Sequence, residues 1–295
     1  MKACDIIDLI GNTPLVQLRN ENIIAKAEFL NPGGSIKDRV ALAMIEAAER
    51  DGTLKPGMKI VEPTSGNTGI GITLVGVAKR YDVYIVMPEG MSEERKNIIK
   101  FLGGHLILTP DSENIVGAVK KAEELVAEYG AFMPQQFKNP YNALAHYEYT
   151  APELWRQSGN RIDAFVSGVG SGGTIQGIGS FLKKNNPDVV IVAVEPKNVS
   201  ALLGHEPGLH QIQGIGDGFV PDILDVSLID RIIEITDEDA IGTTRELGLS
   251  NSLLCGTSSG ANVWTARQIA KGHPDWVIAT VLPDRAERYF STGLL

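Results

Sequence analysis

A chain of 295 residues, 43% hydrophobic and 21% charged, can bury a substantial core and suits one large α/β domain or two smaller ones. Its net charge of −9 argues against nucleic acid or an anionic membrane as a partner, since both need a basic surface. No apolar run approaches the roughly 20 residues of a membrane span, and no apolar signal-peptide core follows Met1-Lys2-Ala3-Cys4-Asp5. The two cysteines, Cys4 and Cys255, form neither a metal set nor a disulfide framework, so a reducing cytoplasm is the expected setting. His205 and His210 are close in sequence, but Pro207 and Gly208 between them speak against a helical metal pair, and no metal site is expected.

In chain order, Gly11-Asn12-Thr13-Pro14-Leu15 reads as a turn before a short apolar stretch, and residues 23–30 read as a strand. The segment Asn31-Pro32-Gly33-Gly34-Ser35-Ile36-Lys37-Asp38-Arg39 joins that strand to a helix in which Val40, Ala41, Met44, Ile45 and Ala48 share one face. Ser35 is the expected N-cap. Lys37 then falls in the first helical turn, where the helix dipole disfavours an ammonium and so favours the free amine that attacks a carbonyl carbon. An arbitrary lysine here would simply pair with Asp38 or a surface carboxylate. Further strands are predicted at 59–62, 83–87, 106–108, 164–166, 189–194, 231–235 and 277–282, with helices at 93–102, 115–129, 175–184, 237–247 and 261–271. Short, almost wholly apolar strands between helices are the pattern of parallel sheets covered on both faces, so a doubly wound α/β architecture is predicted. No linker or short repeat divides the chain, and the segment 135–140 is the best place for it to cross between two domains.

Three glycine-rich turns follow predicted strands or open predicted helices. Thr64-Ser65-Gly66-Asn67-Thr68-Gly69 gathers backbone N–H groups, hydroxyls and an amide at the positive end of a helix, which suits a carboxylate or phosphate better than plain capping does. Gly168-Val169-Gly170-Ser171-Gly172-Gly173-Thr174 lets main chain approach closely at another helix start and adds a hydroxyl where a phosphate monoester would sit. Alone it also matches a dinucleotide turn, but only Glu195 loosely fills the ribose-binding role that such a turn requires. In Cys255-Gly256-Thr257-Ser258-Ser259-Gly260-Ala261-Asn262 the serines are either caps or donors to a heteroaromatic nitrogen.

A nucleophilic lysine, a carboxylate cradle, a phosphate cup and a hydroxyl for a ring nitrogen are what pyridoxal 5′-phosphate and an amino acid require. The ordered motifs N-P-G-G-S-I-K-D-R, T-S-G-N-T-G, G-S-G-G-T and G-T-S-S-G-A resemble the cysteine synthase (O-acetylserine sulfhydrylase) and cystathionine β-synthase family, of the tryptophan-synthase-β-like class. The similarity runs from Ile10-Gly11-Asn12-Thr13-Pro14-Leu15 to Arg288-Tyr289-Phe290-Ser291-Thr292-Gly293. The resemblance implies two doubly wound three-layer α/β domains. Residues 40–145 would form a smaller, mobile domain carrying the carboxylate loop, and 1–39 with 146–295 a larger one carrying the phosphate cup. It makes Lys37 the Schiff-base lysine and proton shuttle, and Asn67 a contact of the cofactor's phenolic oxygen. Gly170, Ser171, Gly172, Gly173 and Thr174 would hold the phosphate and Ser258 the pyridine nitrogen, while Thr64, Ser65, Asn67, Thr68 and Gln136 would hold the substrate carboxylate. A serine, being a weak acid, leaves the pyridine nitrogen largely unprotonated and the ring a milder electron sink, which favours β-elimination.

The implied reaction is β-replacement on O-acetylserine or serine through an aminoacrylate, with sulfide giving cysteine. Alternatives within the family are cystathionine formation from homocysteine and sulfide release by a cysteine β-lyase. Outside catalysis, the carboxylate cradle could serve as a non-catalytic docking site for the C-terminus of serine acetyltransferase, and a nicotinamide oxidoreductase fits poorest. A homodimer is implied. The sequence departs from the usual pattern at two positions. Asp217, in Ile212-Gln213-Gly214-Ile215-Gly216-Asp217-Gly218-Phe219, stands where a small residue is common, either facing the substrate side chain or capping a turn in solvent. Asp284 stands where many cysteine synthases carry serine, which weakens assignment to the main sulfide-using branch. The resemblance to long cystathionine β-synthases covers their catalytic core.

Overall fold

Short apolar runs separated by helices leave few ways to bury both faces of each strand, and the chain takes the parallel solution twice. The computed structural model describes residues 4–64, 66–206 and 208–294. Strands β1 (Leu15–Gln17) and β2 (Ile23–Lys26) lead into helix α1 (Lys37–Asp51), followed by β3 (Lys59–Pro63), α2 (Asn67–Ala78), β4 (Asp82–Pro88), α3 (Glu93–Phe101), β5 (His105–Thr109) and α4 (Asn114–Tyr129). The chain continues through α5 (Pro140–Ala145), α6 (Ala151–Gln157), β6 (Ala164–Gly168), α7 (Gly173–Asn185), β7 (Val190–Pro196) and β8 (Arg231–Ile235). It ends with α8 (Asp237–Asn251), α9 (Thr257–Gly272) and β9 (Ile278–Val281). β3, β4 and β5 form one parallel sheet. The other sheet runs β1-β2-β9-β6-β7-β8 and is parallel except for the β1–β2 pair.

The strand period of two sorts side chains into four apolar clusters, one for each face of each sheet. In the larger sheet Val166, Val192 and Val194 join the α8–α9 side, while Phe165, Ile191 and Ala193 join the α7 side. In the smaller sheet Ile60, Val83 and Ile85 pack on the α1–α2 side, and Val61 and Val86 on the α4 side. Every residue of β9 is buried, as a central strand covered by helices requires.

Two sequence expectations change. The strand predicted for 23–30 ends at Lys26, and Glu28–Leu30 turns as a 3-10 helix, because Lys26 and Glu28 are needed in a buried ionic cluster. The helical stretch from 140 to 157 was not predicted. Asn139 caps α5, accepting a hydrogen bond from Tyr141 N at 3.0 Å, but Pro152 lacks an N–H and disturbs the ladder. The break is absorbed by a π-turn at His146–Thr150, which masks the helical period.

The ionic cluster fixes the start of α1. Arg39 donates to Glu28 through Nε (2.7 Å) and Nη2 (2.9 Å), and to Glu153 of α6 through Nη1 (2.8 Å) and Nη2 (2.7 Å). Lys26 Nζ lies 2.7 Å from Glu153, and Thr13 Oγ1 donates to Glu28 at 2.7 Å. Burial alone would raise the Glu153 carboxyl, but hydrogen bonds and charge from Arg39 and Lys26 prevail and hold it at about 2. Removing one partner of such a cluster strands the others without compensation. Arg39→Met is therefore expected to cost about 3–5 kcal/mol of unfolding free energy, read from the urea midpoint at unchanged slope. A loss of about 1 kcal/mol or less, as for a surface pair, would show that the cluster does not anchor α1.

Candidate active site

The loops after β3 and β6 and the start of α9 meet between the two sheets around a cavity of about 370 Å³. They lie at the carboxyl ends of parallel strands, where open α/β sheets place their ligands. Lys37 occupies the first position of α1. Ile36, at the boundary, offers no side-chain cap, but Ser35 one residue earlier accepts the Lys37 N–H at 3.2 Å, the bond expected of an N-cap. α2 crosses directly over this start. A Cβ on Gly71 would lie 2.8 Å from Lys37 O, so only glycine lets the two helices approach this closely.

The Lys37 side chain does not turn back to Asp38, whose carboxylate accepts the Gly33 N–H at 2.6 Å. It reaches across the cleft and donates from Nζ to Ser171 Oγ at 3.0 Å. Burial pulls its amine down to about 8, against the opposing charge of Asp217. Desolvation thus does most of what sequence reasoning assigned to the helix dipole. Asp217 also lines the cleft. Its side chain keeps contact with solvent there, yet surrounding protein desolvates the carboxyl and raises its pKa, while Lys37 and His210 oppose the rise.

In the first glycine-rich turn, Thr64 Oγ1 accepts the Gly66 N–H at 3.2 Å, and Thr68 Oγ1 donates to Gln136 Oε1 at 2.7 Å. Ser65, assigned to the same cradle, lies outside the described residues. Glu62, at the end of β3, was not anticipated as part of the site. Its buried carboxylate accepts the backbone N–H groups of Gln135 (2.9 Å) and Gln136 (3.3 Å), which fixes the loop presenting Gln136. Burial raises this carboxyl to about 7, despite those two donors.

The second turn ends at Gly173, where α7 begins, and Gly170, Ser171, Gly172 and Thr174 all line the cleft. Asn142 of α5 buttresses it, donating from Nδ2 to Ser171 Oγ (2.9 Å) and to Gln136 O (2.7 Å). A Cβ on Gly173 would stand 2.0 Å from Asn142 Oδ1, so that position must be glycine. His146 Nε2 lies 3.4 Å from Thr174 Oγ1, and burial, then the Lys37 and Arg39 charges, keep its imidazole neutral. Neither Asn142 nor His146 was legible beforehand, because both sit in the helical stretch whose period is broken.

From the third turn, Ser258 of α9 is buried and lines the cleft. Its neighbour Thr257 buries a hydroxyl oxygen without a hydrogen-bond partner among the described residues. Asn67, at the first position of α2, is held at both ends of its amide. Nδ2 donates to Asp284 Oδ2 at 2.6 Å, and Oδ1 accepts from Arg288 Nη1. Asp284 is buried and also accepts from the Tyr289 hydroxyl.

This donor set suits a phosphorylated aldehyde on a heteroaromatic ring. The glycine loop gives open main chain and two hydroxyls at the positive end of a 13-residue helix, with an amine of lowered proton affinity directly beside it. Among the described residues no group of acidic, histidine and cysteine side chains could hold a metal ion, and no helix is long and apolar enough to cross a membrane.

Residues 6–284 match the family model described as pyridoxal-phosphate dependent enzyme. The chain is 50% identical to cysteine synthase of Staphylococcus aureus, over 98% of this chain and 96% of the relative. Among solved structures, O-ureido-L-serine synthase superposes with a TM-score of 0.96 at 42% identity, covering 100% of this chain and 95% of that one. The O-acetylserine-dependent cystathionine β-synthase of Helicobacter pylori superposes with a TM-score of 0.94 at 40% identity, covering 100% and 99%.

The lowered Lys37 amine has a direct kinetic consequence. Protein stripped of cofactor is expected to take up pyridoxal phosphate at a rate rising about tenfold per pH unit below pH 8, then levelling as the neutral amine saturates. Asp217→Asn removes the anion that favours the ammonium, so the break should move to lower pH. Stopped-flow absorbance reads both; a break near the ordinary lysine value, or one unmoved in the variant, would contradict the electrostatics.

Proposed function

The chain belongs to the pyridoxal-phosphate dependent enzyme family, and from that premise we propose that it catalyses β-replacement on O-acetylserine or serine, forming cysteine with sulfide. The observation that carries this reading is the meeting of Lys37 Nζ with Ser171 of the glycine loop at 3.0 Å, in a cleft that also presents Thr68 and Gln136. The high identity to a cysteine synthase over nearly the whole chain supports the choice of reaction.

When bound, pyridoxal phosphate supplies an aldehyde for the substrate amine and a conjugated ring that spreads negative charge from the substrate Cα. The residues then divide the work. Gly170, Ser171, Gly172, Gly173 and Thr174 hold the phosphate at the α7 N-terminus, and the Ser258 hydroxyl meets the ring nitrogen without surrendering its proton. Asn67 contacts the ring's phenolic oxygen. Thr64, Ser65, Thr68, Asn67 and Gln136 receive the substrate carboxylate, and the Glu62 brace keeps Gln136 in reach. Lys37 Nζ takes the proton from Cα. In the cofactor-free protein, with its amine at about 8, roughly one-tenth is neutral at pH 7 and ready to take up the cofactor. Residues 40–145 serve as the smaller, mobile domain that closes on substrate, against a larger one made of 1–39 and 146–295. In this reading the protein works as a homodimer in a reducing cytoplasm, and its carboxylate cradle also suits the C-terminal carboxylate of a serine acetyltransferase.

Asp217 favours a second reading. A carboxylate in the cleft disfavours hydrosulfide and favours the ammonium of homocysteine, or orients a water. That suits a cystathionine β-synthase-type or sulfide-releasing reaction, and one of the structural neighbours is an O-acetylserine-dependent cystathionine β-synthase. At an effective dielectric of about 20, unit charges about 6 Å apart interact by about 3 kcal/mol, enough to bias the nucleophile by about two orders of magnitude.

Borohydride reduction of the holoenzyme is expected to fix the cofactor on Lys37, and Lys37→Ala to lose on the order of 10²–10⁴-fold in turnover. Peptide mapping that finds the label on another lysine removes the assignment. A product assay on O-acetylserine with sulfide, homocysteine and water in parallel separates the two readings: cysteine synthesis should be fastest. Asp217→Ala is expected to raise sulfide use relative to the other two while leaving the first half-reaction little changed. Wild-type ratios in that variant would make Asp217 an ordinary turn residue.

A further inference from the structure

Asparagine presents a donor and an acceptor of nearly equal size, so its amide has two orientations unless neighbours choose one. At Asn67 the neighbours leave a single choice. Asp284 Oδ2, which also receives the Tyr289 hydroxyl, serves as an acceptor, so Nδ2 must face it, and Arg288 can only donate, so Oδ1 must face that side. One Nδ2 hydrogen is then used by Asp284 and the other is left over, while Asn67 itself lines the cleft. We propose that Asp284 is a positioning residue which, with Arg288, locks the Asn67 amide so that the cleft meets an N–H donor and never a carbonyl.

The surroundings of Asp284 support this role. The carboxylate accepts the Tyr289 hydroxyl through the same Oδ2 that receives Asn67, so two donors converge on one oxygen. Its Oδ1 is buried without a partner among the described residues and lies against Gly256, where an added Cβ would come within 2.2 Å. Gly256 N also donates to Asp284 O at 3.0 Å, two residues before Ser258. Asp284 therefore touches both the turn that carries Asn67 and the helix start that carries Ser258. Burial raises its pKa, and Arg288, the two donors and Arg95 oppose the rise. Arg288 reaches onward to Gly33 O in the turn before Lys37. A fixed donor is what an anionic oxygen on a bound ring would require, whereas a carbonyl there would repel it.

The inference rests on the reading that Asn67 faces the cofactor, and the test keeps the two apart. The holoenzyme is compared with Asp284→Asn, Asn67→Ala and the double variant by the ratio of the visible to the near-ultraviolet band of bound pyridoxal phosphate, with thermal midpoints recorded alongside. The amide introduced by Asp284→Asn removes the charge that holds Nδ2 and can itself donate, so only Arg288 is left to dictate the Asn67 orientation. Asp284→Asn is expected to shift the band ratio in the same direction as Asn67→Ala, on the order of tenfold for the loss of one charge-assisted hydrogen bond. The double variant should shift no further than Asn67→Ala alone. Tyr289→Phe, which keeps the ring and removes one donor to Asp284, should give a smaller shift in that direction and decides the matter if Asp284→Asn does not fold. An unchanged spectrum in Asn67→Ala overturns the underlying reading and this inference with it. A shift in Asn67→Ala with none in Asp284→Asn or Tyr289→Phe, whatever their thermal midpoints, overturns the positioning role alone.

Discussion

Desolvation of one ammonium, that of Lys37, sets the terms for the structure around it. A lysine in water holds its proton far too tightly to act near neutral pH, and burial is what brings its amine to about 8. Burying a flexible, cationic side chain demands that its backbone be held from several directions. Gly71 lets α2 lie on the lysine's own carbonyl, and the Arg39 cluster two residues on ties α1 to α6. Ser171 receives the amine at the far end. Asn142 in turn orients Ser171 and braces Gln136, so one buried amide links the second glycine-rich turn to the loop that presents Gln136.

Much of this was legible in the sequence, for reasons that can be named. Parallel strands covered on both faces must be apolar throughout, so β4, β6 and β7 stood out within one or two residues, and β8 was located without error. Glycine-rich turns at helix starts announced where main chain meets a ligand, because few other demands explain so many glycines and hydroxyls together. What escaped was the support behind those turns. Asn142 and His146 lie where Pro152 breaks the helical period, and Glu62 reads as an unremarkable strand end until its two backbone partners come from residues 73 and 74 positions away. Asp284 was visible as a departure from the family pattern, but its bonds to Asn67 and Tyr289 are facts of tertiary structure alone.

The two sheets have separate apolar cores, and what joins them across the cleft is chiefly polar. Asn67 binds Asp284 and Arg288, and Glu94 accepts the Ser291 N–H at 3.0 Å and its hydroxyl at 2.7 Å. Each such contact contributes only about 0.5–1.5 kcal/mol net, more where a charge takes part, and its donors and acceptors can be re-paired by water or ligand when it opens. Sliding one apolar core over another would instead expose area at about 25 cal/mol per Å². A hinge across polar ties is therefore the low-cost motion this fold permits. Asn67, which makes one of those ties, is also among the residues assigned to the substrate carboxylate, beside Thr68 and Gln136. A carboxylate bound at the Thr68 hydroxyl would exchange a bond on the smaller sheet's side of the cleft for one to ligand, one residue from the Asn67 tie that spans it.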